Sequence, residues 1–350
     1  MPPSRVHFNG GVNLPDADTV MREIAARVPD GVSRIPDGET GDRQQWIFFQ
    51  LQKFWQTPGL EQADPAGTTP GYENMPKVRL VDGQNPGSVF WPNLGYADAY
   101  IESYETFRRL RDEGVIGADV RFQVEYPTPL ASISGWVVPE DQARLEPSYE
   151  RALFADLDRV LAAVPHEIAV QWDVAVEFGI LSGGFPASDG QDYDAIVDRL
   201  ARCVGRVPHD APVGLHLCYG DYQHRHFKEP ESLELQVRVA NALTERAARP
   251  INWFAFTVPQ YQRDASYFAP LADLRVADET ELYFALVPYH AAEQEPGTTE
   301  AQVELVDAQL AGREWGICTE CGMARAERDE IPGLLDLHRE IVATHAPAHA

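Results

Sequence analysis

Cysteine is scarce in this chain, with four in 350 residues. So few thiols over such a length do not make a disulfide framework. Basic residues are also short: Lys and Arg total 29 against 54 Asp and Glu, a formal net charge of -25. Nucleic acid is thereby disfavoured as a partner, because phosphate binding needs a basic stripe and none is visible. An anionic membrane surface is disfavoured for the same reason. No apolar run approaches the ~20 residues of a membrane-spanning helix. The opening stretch, Met1-Pro-Pro-Ser-Arg-Val-His-Phe-Asn-Gly10, lacks the apolar core of a signal peptide. A soluble, cytoplasmic protein with reduced thiols is the expectation. Neither internal repeats nor low-complexity tracts occur, and the acidity reads as a solvated surface.

What is present is ample core material, 44% hydrophobic and 10% aromatic. Short apolar runs stand at residues 6–9, 32–35, 121–125, 168–172, 213–218, 251–256, 282–287 and 315–318. Between several of them lie stretches of helical period, among them 17–28, 97–113, 147–163, 195–205, 232–246 and 299–311. Strand-helix alternation predicts a parallel sheet with helices outside. About eight strands over this length point to a closed (β/α)8 TIM barrel, read as one domain over residues 1–350. The segment 50–96 departs from the pattern. It is rich in Pro, Gly, Asn and Gln with scattered aromatics, and reads as a long excursion over the barrel mouth.

Active sites of such barrels sit at the C-terminal ends of the strands. Polar residues gather there in this sequence. Asp37 and Glu39 follow the second strand and Glu125 ends the third. Asp173 ends the fourth, with Glu177 one helical turn on. His290 follows the seventh. Asp37, Asp173, Glu177 and His290 are the candidate catalytic residues. For Glu39 and Asp42, helix capping or ion pairing weighs as much as function.

The fifth strand, Pro212-Val-Gly-Leu-His-Leu-Cys-Tyr-Gly220, carries the sharpest signal. Side chains on a strand alternate, so His216 and Cys218 share a face. An imidazole beside a thiol at a strand end is half of a zinc site. A second half is available in Trp315-Gly-Ile-Cys-Thr-Glu-Cys-Gly322. The competing reading of His216 and Cys218 as packed core weighs about equally on spacing alone, and Cys-x-x-Cys also fits redox chemistry. Cys203, on a helical stretch, reads as core.

Taken together, the chain resembles the catalytic half of cobalamin-independent methionine synthase, within the barrel superfamily that also holds uroporphyrinogen decarboxylase. The resemblance rests on His216/Cys218, Cys321-Gly322, Gln171-Trp-Asp173, and Tyr126-Pro-Thr-Pro-Leu-Ala131 followed by Glu140-Asp-Gln142. It covers residues from about 120 to 330, in a single-barrel version. It implies a zinc ion on His216, Cys218 and Cys321, with Cys318, Glu320, His224 or His290 completing or gating the site. It implies transfer of a methyl or other alkyl group to a small-molecule thiol, with Asp173 meeting that substrate. Two departures stand out. The family's zinc-binding Glu has no counterpart in residues 252–260, where Thr257 or a neighbour stands, and Val174 replaces an acidic residue. The thiol, the alkyl donor and the oligomeric state are left open. Two other readings remain. One is a metal-independent lyase or decarboxylase using Asp37, Arg34 or Arg43 on a carboxylated substrate. The other is a non-catalytic relative that binds a ligand or zinc.

Overall fold

A computed structural model describes residues 3–63, 76–164, 166–221, 225–289 and 294–345. The strands in chain order are β1 (Arg5–Val6), β2 (Arg34–Pro36), β3 (Leu60–Ala63), β4 (Lys77–Leu80), β5 (Arg121–Pro127), β6 (Ile168–Val174), β7 (Val213–Leu217), β8 (Trp253–Phe256), β9 (Glu281–Ala285) and β10 (Gly316–Cys318). The helices are α1 (Ala17–Arg27), α2 (Gln50–Trp55), α3 (Tyr96–Asp112), α4 (Pro129–Trp136), α5 (Pro139–Ala163), α6 (Val176–Ser182), α7 (Tyr193–Arg206), α8 (Glu234–Arg246), α9 (Ala265–Phe268), α10 (Thr298–Gln309) and α11 (Ile331–His345). No helix among the described residues is long and apolar enough to cross a membrane.

Eight strands form one parallel sheet in the order β1-β10-β9-β8-β7-β6-β5-β2. A parallel bridge between Val6 and Val32 closes the ring between β1 and the lead-in to β2. The fold is the (β/α)8 TIM barrel that the strand-helix alternation predicts. The helices are set by amphipathic sequence and caps. In α7, Ile196, Val197, Leu200, Cys203 and Val204 are buried, and the Asp192 side chain accepts from the Ala195 N–H.

Inside the ring, Ala169, Trp253, Ala255, Tyr283, Ala285 and Cys318 pack as a small cluster apart from the main core. Gly214 is required there. A Cβ on it would stand 2.0 Å from the Trp253 ring. At the N-terminal ends of the strands, Arg34 lies 4.0 Å over Trp253 and pairs with Glu281. That floor leaves the opposite end, the C-terminal mouth, for chemistry.

The described part of residues 50–96 contains α2 and the antiparallel hairpin β3–β4, packed against α4 and α5. Val78 bridges to Val137, the Leu80 N–H donates to Asp141 at 2.8 Å, and Trp91 Nε1 donates to Ser148 at 3.0 Å. The mouth itself is walled on this side by Gln44, Trp46, Ile47 and Phe48, just upstream. Trp46 sits at φ 54, a strained conformation for a bulky side chain.

Candidate metal centre and substrate cavity

β7 ends one residue before Cys218, and the chain leaves β10 three residues before Cys321. His216, Cys218 and Cys321 each present one ligand atom, all within 4.8 Å of one another. His216 and Cys218 are buried, and Cys321 is half-buried. Among the described residues they are the His, Cys, Asp or Glu group that converges this way. The turns that hold them are glycine-dependent. A Cβ on Gly322 would stand 2.5 Å from the Gly11 nitrogen. Gly220 (φ 84) lets its own N–H reach Cys218 Sγ at 3.3 Å.

Cys321 is the more acidic of the two thiols. Cys218 hydrogen-bonds to Cys321 and lowers its pKa, helped by the charges of His216 and Arg325. The same contact raises Cys218, and burial adds to it. Burial works against the charged form of His216, but Asp173, Cys321 and the Glu320 carbonyl together raise its pKa. One imidazole and two thiols, buried and converging, are a donor set suited to zinc, whose bonds of about 2.0–2.3 Å such spacing can supply after small closure.

Asp173 stands beside this group. It accepts from Gln171 Nε2 at 3.0 Å and lies 3.3 Å from His216 Nδ1. Gln171 Oε1 in turn accepts from His7 Nε2 at 2.7 Å. Burial keeps His7 neutral, with Arg34 adding to the effect. The result is a fixed line, His7 to Gln171 to Asp173 to His216, along the barrel interior. Two more carboxyl groups lie at the mouth. Burial pushes Glu39 up, reinforced by Asp173, and pushes Glu125 up, reinforced by Glu39.

The other candidates are placed differently. Asp37 is fully buried and does not line the cavity. It takes Arg43 at 2.5 Å, Ser103 at 2.7 Å and the Glu39 N–H at 2.9 Å. Its surroundings make it a structural anchor of the turn after β2. Glu177 is buried against Thr128 and also lies outside the cavity lining, its pKa pushed up to about 7 by burial. His290 and His224 fall outside the described residues. Cys318 packs in the barrel interior cluster and is not part of the converging group. Glu320 turns instead to His226, at 3.4 Å. Thr257 donates to the Glu320 carbonyl at 3.3 Å. Arg34 and Arg43, candidates for gripping a carboxylated substrate, do not reach this cavity.

The cavity offers about 80 Å³ to the centre of a water-sized molecule. Its polar wall is the triad with Asn9, Glu39, Asp173, Asp221 and Arg325, and its other wall is aromatic and aliphatic. Asn9 is buried, donates to the Thr319 carbonyl at 2.8 Å, and leaves Oδ1 without a partner. Trp46 and Trp136 leave their Nε1 atoms without partners. Arg325 pairs with Asp221 at 2.7 Å. Asn9, Asp221, His226 and Arg325 carried no signal in the sequence. Asp221 and Arg325 are 104 positions apart, and only the barrel brings them together.

No protein-family model and no curated protein matches this chain. Solved structures do. A B12-independent methionine synthase from a Shewanella species, in complex with selenomethionine, shares 11% identity at TM-score 0.65, covering 98% of each chain. A methyltransferase from Methanosarcina mazei shares 12% identity at TM-score 0.54, covering 97% of this chain and 94% of its own. At such identities the likeness establishes the fold. Fold and site together define a (β/α)8 barrel with a His/Cys/Cys cluster at its C-terminal mouth.

Proposed function

We propose that this chain transfers a methyl or other alkyl group to the sulfur of a small-molecule thiol, with zinc held by His216, Cys218 and Cys321. The observation that carries the reading is the convergence of those three ligand atoms within 4.8 Å at the barrel mouth. Two structural neighbours named for methionine synthesis and methyl transfer support it. Zinc, when bound, lowers the pKa of a substrate thiol and so supplies the thiolate that acts as nucleophile.

The chain's own residues do the rest. Asp173 is held by Gln171 and His216, so its carboxylate is aimed and not free to rotate. It orients a polar group of the thiol substrate, an ammonium being the natural partner. The aromatic wall excludes water and limits the poses of the second substrate. Reduced thiols at Cys218 and Cys321 suit a cytoplasmic setting. Metal-edge absorption tests the reading directly. Zinc-loaded protein given millimolar homocysteine or 2-mercaptoethanol should gain sulfur in the metal's coordination. An unchanged spectrum with both thiols refutes it.

A further inference from the structure

We propose that the aromatic half of this cavity binds a small methylated onium cation, a sulfonium or quaternary ammonium, and that this cation is the alkyl donor. The inference rests on the methyl-transfer reading and names the chemical class of the second substrate.

Five aromatic side chains line the cavity that the triad opens onto: Trp46, Phe48, Trp136, Phe185 and Phe227. Phe48 and Trp136 stand edge to face at 5.4 Å and 75°. Phe185 and Phe227 do the same at 5.5 Å and 79°. Rings set at right angles form corners, the shape that surrounds a compact cation. Phe227 has been given room for this. A Cβ on Gly220 would stand 2.6 Å from its ring, and one on Gly179 would stand 3.0 Å from it.

Charge points the same way. Glu39, Asp173 and Asp221 line the space, and the sole Lys or Arg among the described lining residues, Arg325, is paired with Asp221. With Arg325 balanced by Asp221, an anionic donor finds no unpaired cation among these lining residues, whereas a cation gains from Asp173 and from the aromatic rings. The Oδ1 of Asn9, in a side chain only 5% exposed, is an unpartnered acceptor in the same wall. Size agrees. About 80 Å³ for water-sized centres suits a cation of a few heavy atoms.

The reaction balances without further reagents. The substrate thiolate sulfur attacks the methyl carbon of the onium. A sulfur–carbon bond forms as the bond from carbon to the positive centre breaks, and its electron pair stays on the departing atom. Thiolate and cation become a neutral thioether and a neutral sulfide or amine. The thiol's proton is lost to solvent when the thiolate forms, no proton moves in the transfer itself and nothing is oxidised, so the residues need only align the partners and keep water out.

Calorimetry with trimethylsulfonium, choline and 3,3-dimethyl-1-butanol, the uncharged shape twin of choline, tests the binding. The two cations should bind at least about tenfold more tightly than the alcohol. Phe227→Leu and Trp136→Leu should each weaken the cations by about tenfold and leave the alcohol nearly unchanged. Wild-type protein given zinc, trimethylsulfonium and 2-mercaptoethanol should release dimethyl sulfide into the headspace. Binding that ignores charge, or no cation binding at millimolar concentration, overturns the proposal. So does thiol methylation from a methylated folate while trimethylsulfonium stays inert, a result that leaves the methyl-transfer reading standing. Cation binding by a protein that takes up neither zinc nor thiol overturns the methyl-transfer reading, and the donor role with it.

Discussion

Replacing Gln171 by Leu should destabilise the protein by about 2–5 kcal/mol. Gln171 is fully buried, and both ends of its amide are used. Its oxygen accepts from His7 at 2.7 Å, and its nitrogen donates to Asp173 at 3.0 Å. The first loss strands a buried imidazole N–H, worth about 1–3 kcal/mol. The second removes a hydrogen bond to a carboxylate, worth about 1.5–3 kcal/mol, although His216 still holds Asp173. The Trp253 Nε1 contact at 3.4 Å is too long to add much. Urea unfolding followed by the fluorescence of buried Trp172 and Trp253 reads the change. The double variant His7→Phe/Gln171→Leu supplies a sharper arm. Removing both partners leaves no stranded donor, so the two changes should fall short of additivity by about 1 kcal/mol or more. A single-variant effect below about 1 kcal/mol, or strict additivity in the double, would refute the idea that this polar line is a fixed structural element.

Asp37→Asn should lower stability by about 3–5 kcal/mol, because it strands the buried Arg43, while the metal content of the folded fraction stays unchanged. A loss of metal without a loss of stability would contradict the anchoring role. His226 ties the β7 loop to Glu320 and Glu229; burial opposes its charge, but those carboxylates raise its pKa to about 10. The stabilisation is complete below the ordinary imidazole value of about 6.5 and fades as pH climbs from there toward 10. Thermal midpoints should therefore fall over that range in the wild type and fall less in His226→Gln; parallel slopes would count against the latch. Asp173→Asn should raise KM more than it lowers kcat in thiol alkylation, since an orienting carboxylate contributes to binding. A pure kcat effect would assign Asp173 to the chemical step instead.

Much of the fold was legible because parallel strands buried on both faces read as continuous apolar runs. The runs at 168–172 and 213–218 became Ile168–Val174 and Val213–Leu217. Helix starts were harder to read. A helix read from Pro147 in fact begins at Pro139, with Pro147 inside it. Proline is an N1 signal, and here the earlier proline takes that role. That His216 and Cys218 share a face was legible from two-residue periodicity, but periodicity did not decide between packed core and metal ligands. The places of Asp37 and Glu177 were not, because proximity to a strand end does not say whether a carboxylate faces the mouth or anchors a turn. Asn9, Asp221, His226 and Arg325 act through partners remote in sequence, and no local pattern marks them. The interior line from His7 to His216 needs three strands in register, which only the closed ring provides.

The most direct test of the account is the zinc content and zinc-edge spectrum of freshly purified protein beside a Cys218→Ser/Cys321→Ser variant. The wild type should carry about one zinc per chain, bound by one nitrogen and two protein sulfurs, and the variant should lose it while keeping its barrel fold by circular dichroism. A wild type without zinc after reconstitution, or a variant that retains stoichiometric metal, would contradict the assignment of His216, Cys218 and Cys321 and the chemistry built on it.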